Sequence, residues 1–331
     1  MTQNRFTLAL ALVAISASPA LAATVNLTNN NASGTTSFNT SLAWSDAAAP
    51  SAANDYVTQG YLIRTPTAAG SYTFAGNSLL VGGGSGGGAF VPGAVGNNAF
   101  LNKTPTGAII TVNNMILNGS SIRDGQGSTD NWTLNGNLLV TGLGGTLACQ
   151  ETFNLNSVIS GSAPLYIADF GNTDASRVVK IGSSLNTYNG TITMMGSAAN
   201  RSRLTFIDNS LMNFTIGASG VNNTINRSGS LSGTVQFDGD FAIDLSSAGN
   251  TVGDTWSLVD NANLAETFSS TFTVLGFYDI GGNEWLKNAN GVNYLFSEST
   301  GALTVIPEPG AASIAGLGFV ALLALRRLRR A

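Results

Sequence analysis

Short runs of apolar and β-branched residues, each closed by Gly, Asn, Ser or Asp, recur through most of this chain: "AIITVNNMIL", "WTLNGNLLV", "TFNLNSVIS", "RVVKIG", "GTITMMG", "RLTFID", "NFTIG" and "GTVQF". Runs of this length and composition form strands, and the residues that close them form turns. No amphipathic helical pattern interrupts them between Leu101 and Leu258, so the spacing predicts an all-β chain. Asn118-Gly119, Asn135-Gly136 and Asn189-Gly190 are expected at tight turns, because both residue types accept positive φ.

The segments "ILNGSSI", "TLNGNLLV" and "FNLNSVIS" repeat at roughly 17 to 21 residues, near the length of one turn of a solenoid built from short strands. Asparagines can link successive turns and glycines can open the corners. The expected architecture is a right-handed β-helix, with a β-sandwich as the competing arrangement. Two stretches stand apart. "VGGGSGGGAFVPG", Val81 to Gly93, lacks the Gly-Lys-Ser/Thr ending of a phosphate-binding loop and is expected to be a flexible turn or insertion. Beyond Ala248 the aromatics Trp256, Phe268, Phe272, Phe277, Tyr278, Trp285, Tyr294 and Phe296 accumulate. They are expected to cap the apolar end of the stack, with a sugar-stacking face as the alternative.

Composition removes much of enzyme chemistry. There is no histidine and one cysteine, Cys149, so an intrachain disulfide, the common His/Cys metal sites and a Ser-His-Asp triad are excluded. With no histidine to act as its base, Cys149 reads as a buried small hydrophobe. From Thr24 to Ile306 nine Lys/Arg stand against seventeen Asp/Glu, a net charge of −8. A surface of that sign repels phosphate backbones, which argues against nucleic acid as a partner.

The ends of the chain have a different character. "MTQNRFTLALALVAISASPALAA" carries one positive charge at Arg5, an apolar run, and an A-x-A site at Ala20 and Ala22. That order is the order of a secretory signal peptide, with cleavage expected after Ala22 or Ala23. At the other end no residue from Gly310 to Leu325 is charged, and Arg326, Arg327, Arg329 and Arg330 follow. As a helix this run spans about 24 Å, a little short of a hydrocarbon core of about 30 Å. Val305 and Ile306 are expected to lengthen it on one side, and snorkelling arginines on the other. The arginines should stay cytoplasmic as the anchor, leaving the acidic region outside. Pro307-Glu308-Pro309 lies just before the span, where two prolines hold an extended, accessible peptide.

That combination, from Val305 to Ala331, resembles the PEP-CTERM sorting signal. The resemblance implies recognition and removal of the tail by an exosortase, an integral-membrane protease or transpeptidase. It also implies a Gram-negative producer of extracellular polysaccharide. The protein would be exported across the inner membrane, held there transiently, and delivered to the outer envelope or extracellular matrix. The expected organisation is therefore a signal peptide over 1–23, an exported β-rich domain over 24–305 and a sorting signal over 306–331. Asn186 to Gly220 also resembles, loosely, the autotransporter-associated β-strand repeats of passenger domains.

Candidate chemistry in the exported region rests on carboxylates. "FDGDFAID" places Asp238, Asp240 and Asp244 close together, on one strand face if the period is two. Such a set can collect calcium or serve as acid and base on a glycosidic bond. The bland alternative is a set of solvated turns. Asp169 and Asp174 read as loop caps, and Arg177, Arg201 and Arg203 are the basic residues available to position an acidic sugar. A structural or adhesive matrix protein, with no catalytic residues and no cofactor, is the expected function. Exopolysaccharide binding, or a β-helical polysaccharide lyase or hydrolase using aspartates, are the alternatives.

Overall fold

The computed structural model describes residues 22–125, 131–169, 177–195, 202–228 and 233–307. The expected signal peptide up to Leu21 and the tail from Glu308, with its arginines, lie outside them. Among the described residues there is no helix, and therefore none long and apolar enough to cross a membrane.

The chain is all-β, and most of it winds through parallel sheets. From Ala108–Asn118 in a twelve-stranded sheet it passes to Ser120–Asp124 in a seven-stranded sheet. It returns to the first sheet with Trp132–Val140 and goes back to the second with Gly145–Cys149. The same alternation continues through Thr152–Leu155, Leu165–Asp169, Val178–Ile181, Ile192–Met195 and Ser202–Phe206. Each circuit thus adds one strand to each sheet in parallel register. Parallel neighbours cannot be joined by a tight hairpin. Here the strand of the other sheet is the crossover. A third face forms from Leu211–Thr215, Asp240–Asp244 and Thr273–Val274, also parallel. Antiparallel ladders, which a β-sandwich would need throughout, are confined among the described residues to a C-terminal five-stranded sheet.

One circuit is longer and less regular than the motif spacing suggested. Leu134 does lie opposite Leu155, as the 21-residue offset predicts. Gly145 pairs with Leu165, however, Ile192 with Ile225 and Ile63 with Phe100, so the offsets of these circuits are 20, 33 and 37 residues as corners are enlarged. The match between "ILNGSSI" and "TLNGNLLV" fails. Asn118-Gly119 turns between two strands with Gly119 at φ 67°, whereas Asn135-Gly136 lies within a strand. Gly136 sits at φ 110° opposite Val112, where Asn113 is one residue too many and bulges out. A Cβ on Gly136 would approach the Val112 carbonyl oxygen to 1.9 Å, so the backbones meet only because it is glycine. Asn189-Gly190 departs again: Gly190 has no positive φ, and its missing Cβ makes room for the Tyr188 hydroxyl and the Ala163 carbonyl.

Inward residues repeat from circuit to circuit. Ile122, Leu147, Ile167 and Met194 occupy one register and are all buried. Phe206, Phe237 and Phe268 occupy another, with rings stacked at 5.6 and 4.8 Å. Trp132 stacks on Phe153 at 4.2 Å and 4°. In-register strands place like on like, so each ring covers the next. Cys149 belongs to this core at 3% exposure. Asparagines do link the circuits, but by donating to backbone carbonyls rather than to one another. Asn137 reaches Asn113 at 3.0 Å, Asn154 reaches Trp132 at 3.2 Å, and Asn213 reaches Asn186 at 2.8 Å.

Both ends of the stack are covered. At the carboxyl end Trp256, Phe272, Phe277, Tyr294 and Phe296 are buried beneath the antiparallel sheet, as a cap requires. Tyr278, expected with them, is 75% exposed. At the amino end Phe38, Trp44, Tyr56 and Phe74 form a second aromatic cluster. The glycine-rich stretch is an insertion, but one that packs. Gly93 N–H donates to Thr146 Oγ1 at 3.0 Å, Phe90 meets Tyr166, and a Cβ on Gly93 would fall 2.8 Å from Met195 Cε. Laid across the outer face of the seven-stranded sheet, it accounts for burial on both faces of Ser120–Asp124 and Gly145–Cys149.

The folded region begins with the strand Ala23–Asn26 and ends with Ala302–Ile306. Val305 is buried opposite Tyr294, and Ile306 pairs with Asn293. Both residues belong to the last strand of the folded region, which ends at Ile306. Pro307, exposed, is the first residue past the last strand.

Candidate functional site

The three aspartates do not converge. Asp238 lies in the turn before the strand Asp240–Asp244, while Asp240 and Asp244 stand at its two ends. Each is occupied locally. Asp238 accepts both oxygens' bonds from Gln236 Nε2 at 2.8 and 2.9 Å, and Asp240 Oδ1 accepts from Thr273 Oγ1 at 2.5 Å. Asp244 accepts from the Ser246 backbone N–H at 2.9 Å, which together with the Ser246 hydroxyl holds its carboxyl below the ordinary range. The strand face expected to crowd three carboxylates thus carries two, separated by Ala242. Among the described residues no group of three or more His, Cys, Asp or Glu could hold a metal ion.

Asp244 does line a groove of about 360 Å³ on the third face, beside Asn189, Asn213 and Thr215. It is the groove's one carboxylate, and the Asn213 amide is already bonded to the Asn186 and Tyr188 carbonyls. A glycosidic acid/base pair needs two. Asp169 is the last residue of the strand Leu165–Asp169, and Asp174 and Arg201 lie outside the described residues. Arg203 is half-buried, and Arg177 is only 3% exposed and unavailable to a surface sugar.

Arg177 belongs instead to a corner that sequence reasoning missed. Asp124, Glu151 and Arg177, from three successive circuits, are exposed by 2, 5 and 3%. The Gln150 backbone N–H donates to Asp124 Oδ1 at 2.7 Å. Burial pushes the Asp124 carboxyl up to about 6, against the backbone bonds from Gln150 and Glu151 and the nearby Arg177 charge; the Glu151 charge adds to the rise. Between its ordinary 3.8 and 6 the folded chain holds a proton there that the unfolded chain has lost. This contribution to stability is therefore full below pH 3.8 and is lost as pH rises through 6, by about 3 kcal/mol. Asp124→Asn should accordingly raise the denaturation midpoint at pH 7.5, with the gain shrinking toward pH 4. Midpoints that keep the same spacing at pH 7.5, 6 and 4.5 would show that the carboxyl does not titrate in this window.

The place with concentrated recognition chemistry is a cleft of about 490 Å³ in the C-terminal cap. Its wall is the hairpin Tyr278–Asp279 to Glu284–Ala289, in which Trp285 lies directly opposite Asp279. Gly281, Gly282 and Asn283 turn the chain at φ 81°, 71° and 64°. Trp285 packs edge-on against Phe272 at 5.8 Å, and its Nε1–H donates to Glu298 Oε1 at 2.7 Å. Two contacts therefore fix a half-buried indole. Ser270 adds a hydroxyl to the lining, whereas the Thr273 hydroxyl is bonded to Asp240 Oδ1. Trp285 was legible as one of the cap aromatics, with sugar stacking as its alternative role. Asp279, Asn283 and Glu298 were not, although "YDIGGNEW" has the form of a hairpin with a carboxylate facing a tryptophan.

No family model matches this chain, and no curated protein or solved structure proves similar to it.

Proposed function

We propose that this chain is an exported structural or adhesive protein of the cell envelope or polysaccharide matrix, folded as a right-handed β-helix and sorted by a PEP-CTERM tail that an exosortase removes. The observation that carries the structural part is the unbroken parallel ladder with aromatic clusters covering both its ends. Ten strands follow one another along the main sheet's path. At about 4.8 Å per strand they make a rod roughly 45 Å long. Connections between parallel strands favour the right-handed sense. Covered ends suit a discrete spacer rather than an end-to-end polymer. Asparagine amides turned inward on the backbone, and aspartates bonded to near neighbours, fit a scaffold better than a catalyst.

The sorting part is supported by the tail's sequence and by the position of Pro307. A processing site that starts where the last strand stops leaves the fold intact after cleavage. Structure and catalysis separate in one assay. Reducing ends released from neutral and acidic polysaccharides should stay at background with the purified full chain, and Asp238→Asn/Asp240→Asn/Asp244→Asn should change nothing. Depolymerisation lost in the triple variant would overturn the structural reading.

A further inference from the structure

The geometry points to the cap cleft as a binding site for a neutral glycan, with Trp285 as the platform for one pyranose ring. Three properties of the cleft converge. First, the indole is held rigid by Glu298 and Phe272, so little side-chain freedom remains to be lost when a sugar stacks on it. The hydrophobic C–H face of a pyranose matches an aromatic face in shape and polarity. Second, hydrogen-bonding groups surround that platform and are not consumed by the fold. Asp279 Oδ1 accepts from Gly281 N–H at 2.8 Å, and Glu298 Oε1 from Trp285. Asp279 Oδ2, Glu298 Oε2 and the Asn283 side-chain amide have no protein partner among the described residues. Carboxylate oxygens accept from sugar hydroxyls, and an amide both donates and accepts.

Third, the charge selects the class of sugar. Asp279 and Glu298 both line the cleft, and no lysine or arginine does. A uronate would place its carboxylate beside two others with no cation to offset them. A neutral sugar brings hydroxyl donors and no such cost. One ring on one indole gives weak binding, on the order of millimolar per sugar unit, which repeated residues along a polymer can raise by rebinding. This inference rests on the cleft alone, and the sorting signal can fail without affecting it.

The chain supplies its own probe. Of its four tryptophans, Trp44, Trp132 and Trp256 are at most 4% exposed, so Trp285 is the one that solvent and ligand can reach. The purified full chain is titrated with xylan, mannan, dextran and mixed-linkage β-glucan, and separately with polygalacturonate. Tryptophan emission and its quenching by acrylamide are read, together with mobility in gels containing each polymer. At least one neutral polymer should shift the emission, protect it at least twofold from acrylamide and retard the protein, whereas polygalacturonate should do none of these. Trp285→Ala should abolish retardation. Asp279→Ala and Asn283→Gly, on an exposed turn where glycine keeps the positive φ of residue 283 unstrained, should weaken it several-fold while the melting temperature falls by no more than about 3 °C, which separates lost contact from a damaged cap. Absence of any response to all four neutral polymers would overturn the inference. So would retardation that survives in Asp279→Ala and Trp285→Ala alike, or equal retardation by polygalacturonate.

Discussion

Phe237→Ala should lower the stability of the folded region by about 3 to 5 kcal/mol, the largest single-residue effect expected in this chain. Phe237 has no solvent exposure and sits between Phe206 and Phe268 in the stacked column. Its flank meets Phe241 edge-on at 5.1 Å. Alanine would leave a cavity bounded by rings that parallel backbones on both sides hold in place, so collapse is limited. The location makes the loss more costly than burial alone, because this register joins the last parallel circuits to the antiparallel cap. In a stack where each circuit contacts only its neighbours, weakening one joint uncouples what lies beyond it. The melting temperature should fall by roughly 10 °C, and hydrogen exchange in the cap strands should quicken before exchange at Leu147 or Ile167. Phe237→Leu, which keeps most of the volume, should cost less than half as much. A shift within 2 °C for Phe237→Ala would show that the column does not couple stack and cap.

The strand content of the chain was legible because strand and turn chemistry are local. Val, Ile, Thr and Phe at alternating positions, closed by Asn or Gly, dictate a half-buried extended segment wherever it ends up. The parallel winding was legible for a related reason: segments of similar pattern, spaced too far apart for hairpins, bury their apolar faces against one another. Corner geometry was not legible. Gly119, Gly136 and Gly190 follow asparagine in identical dipeptides, yet one turns the chain, one permits a bulge and one makes room for Tyr188. Only the neighbouring circuit distinguishes them. Val305 and Ile306 were ambiguous for the opposite reason. Their apolarity suits a membrane span and a cap strand equally, and in the folded region they pair with Tyr294 and Asn293.

Sites followed the same division. Asp238, Asp240 and Asp244 attracted attention by proximity in sequence, but a turn and a strand point them to different partners. Asp124, Glu151 and Arg177 are separated by 27 and 26 residues and meet only because each circuit brings the chain back to the same corner. Trp285 and Glu298 meet because Glu284–Ala289 and Val292–Ser297 pair as a hairpin, placing residue 298 beside the indole.

The second large effect concerns the tail and is all-or-none. Pro307, Glu308 and Pro309 replaced by alanines should leave the protein at full tail mass in the inner membrane, because the apolar run and its arginines survive while the extended peptide does not. Replacing Arg326, Arg327, Arg329 and Arg330 by glutamine should instead weaken retention, since the bias that keeps the terminus cytoplasmic is gone. The most direct test of the account is the intact mass and membrane fraction of the protein, carrying an epitope just after Ala23, in wild type and in the Pro307-Glu308-Pro309 alanine variant. The account predicts wild type beyond the inner membrane and shortened near Pro307 to Pro309, with the variant unshortened and held back. Equal mass and equal location for the two would contradict it.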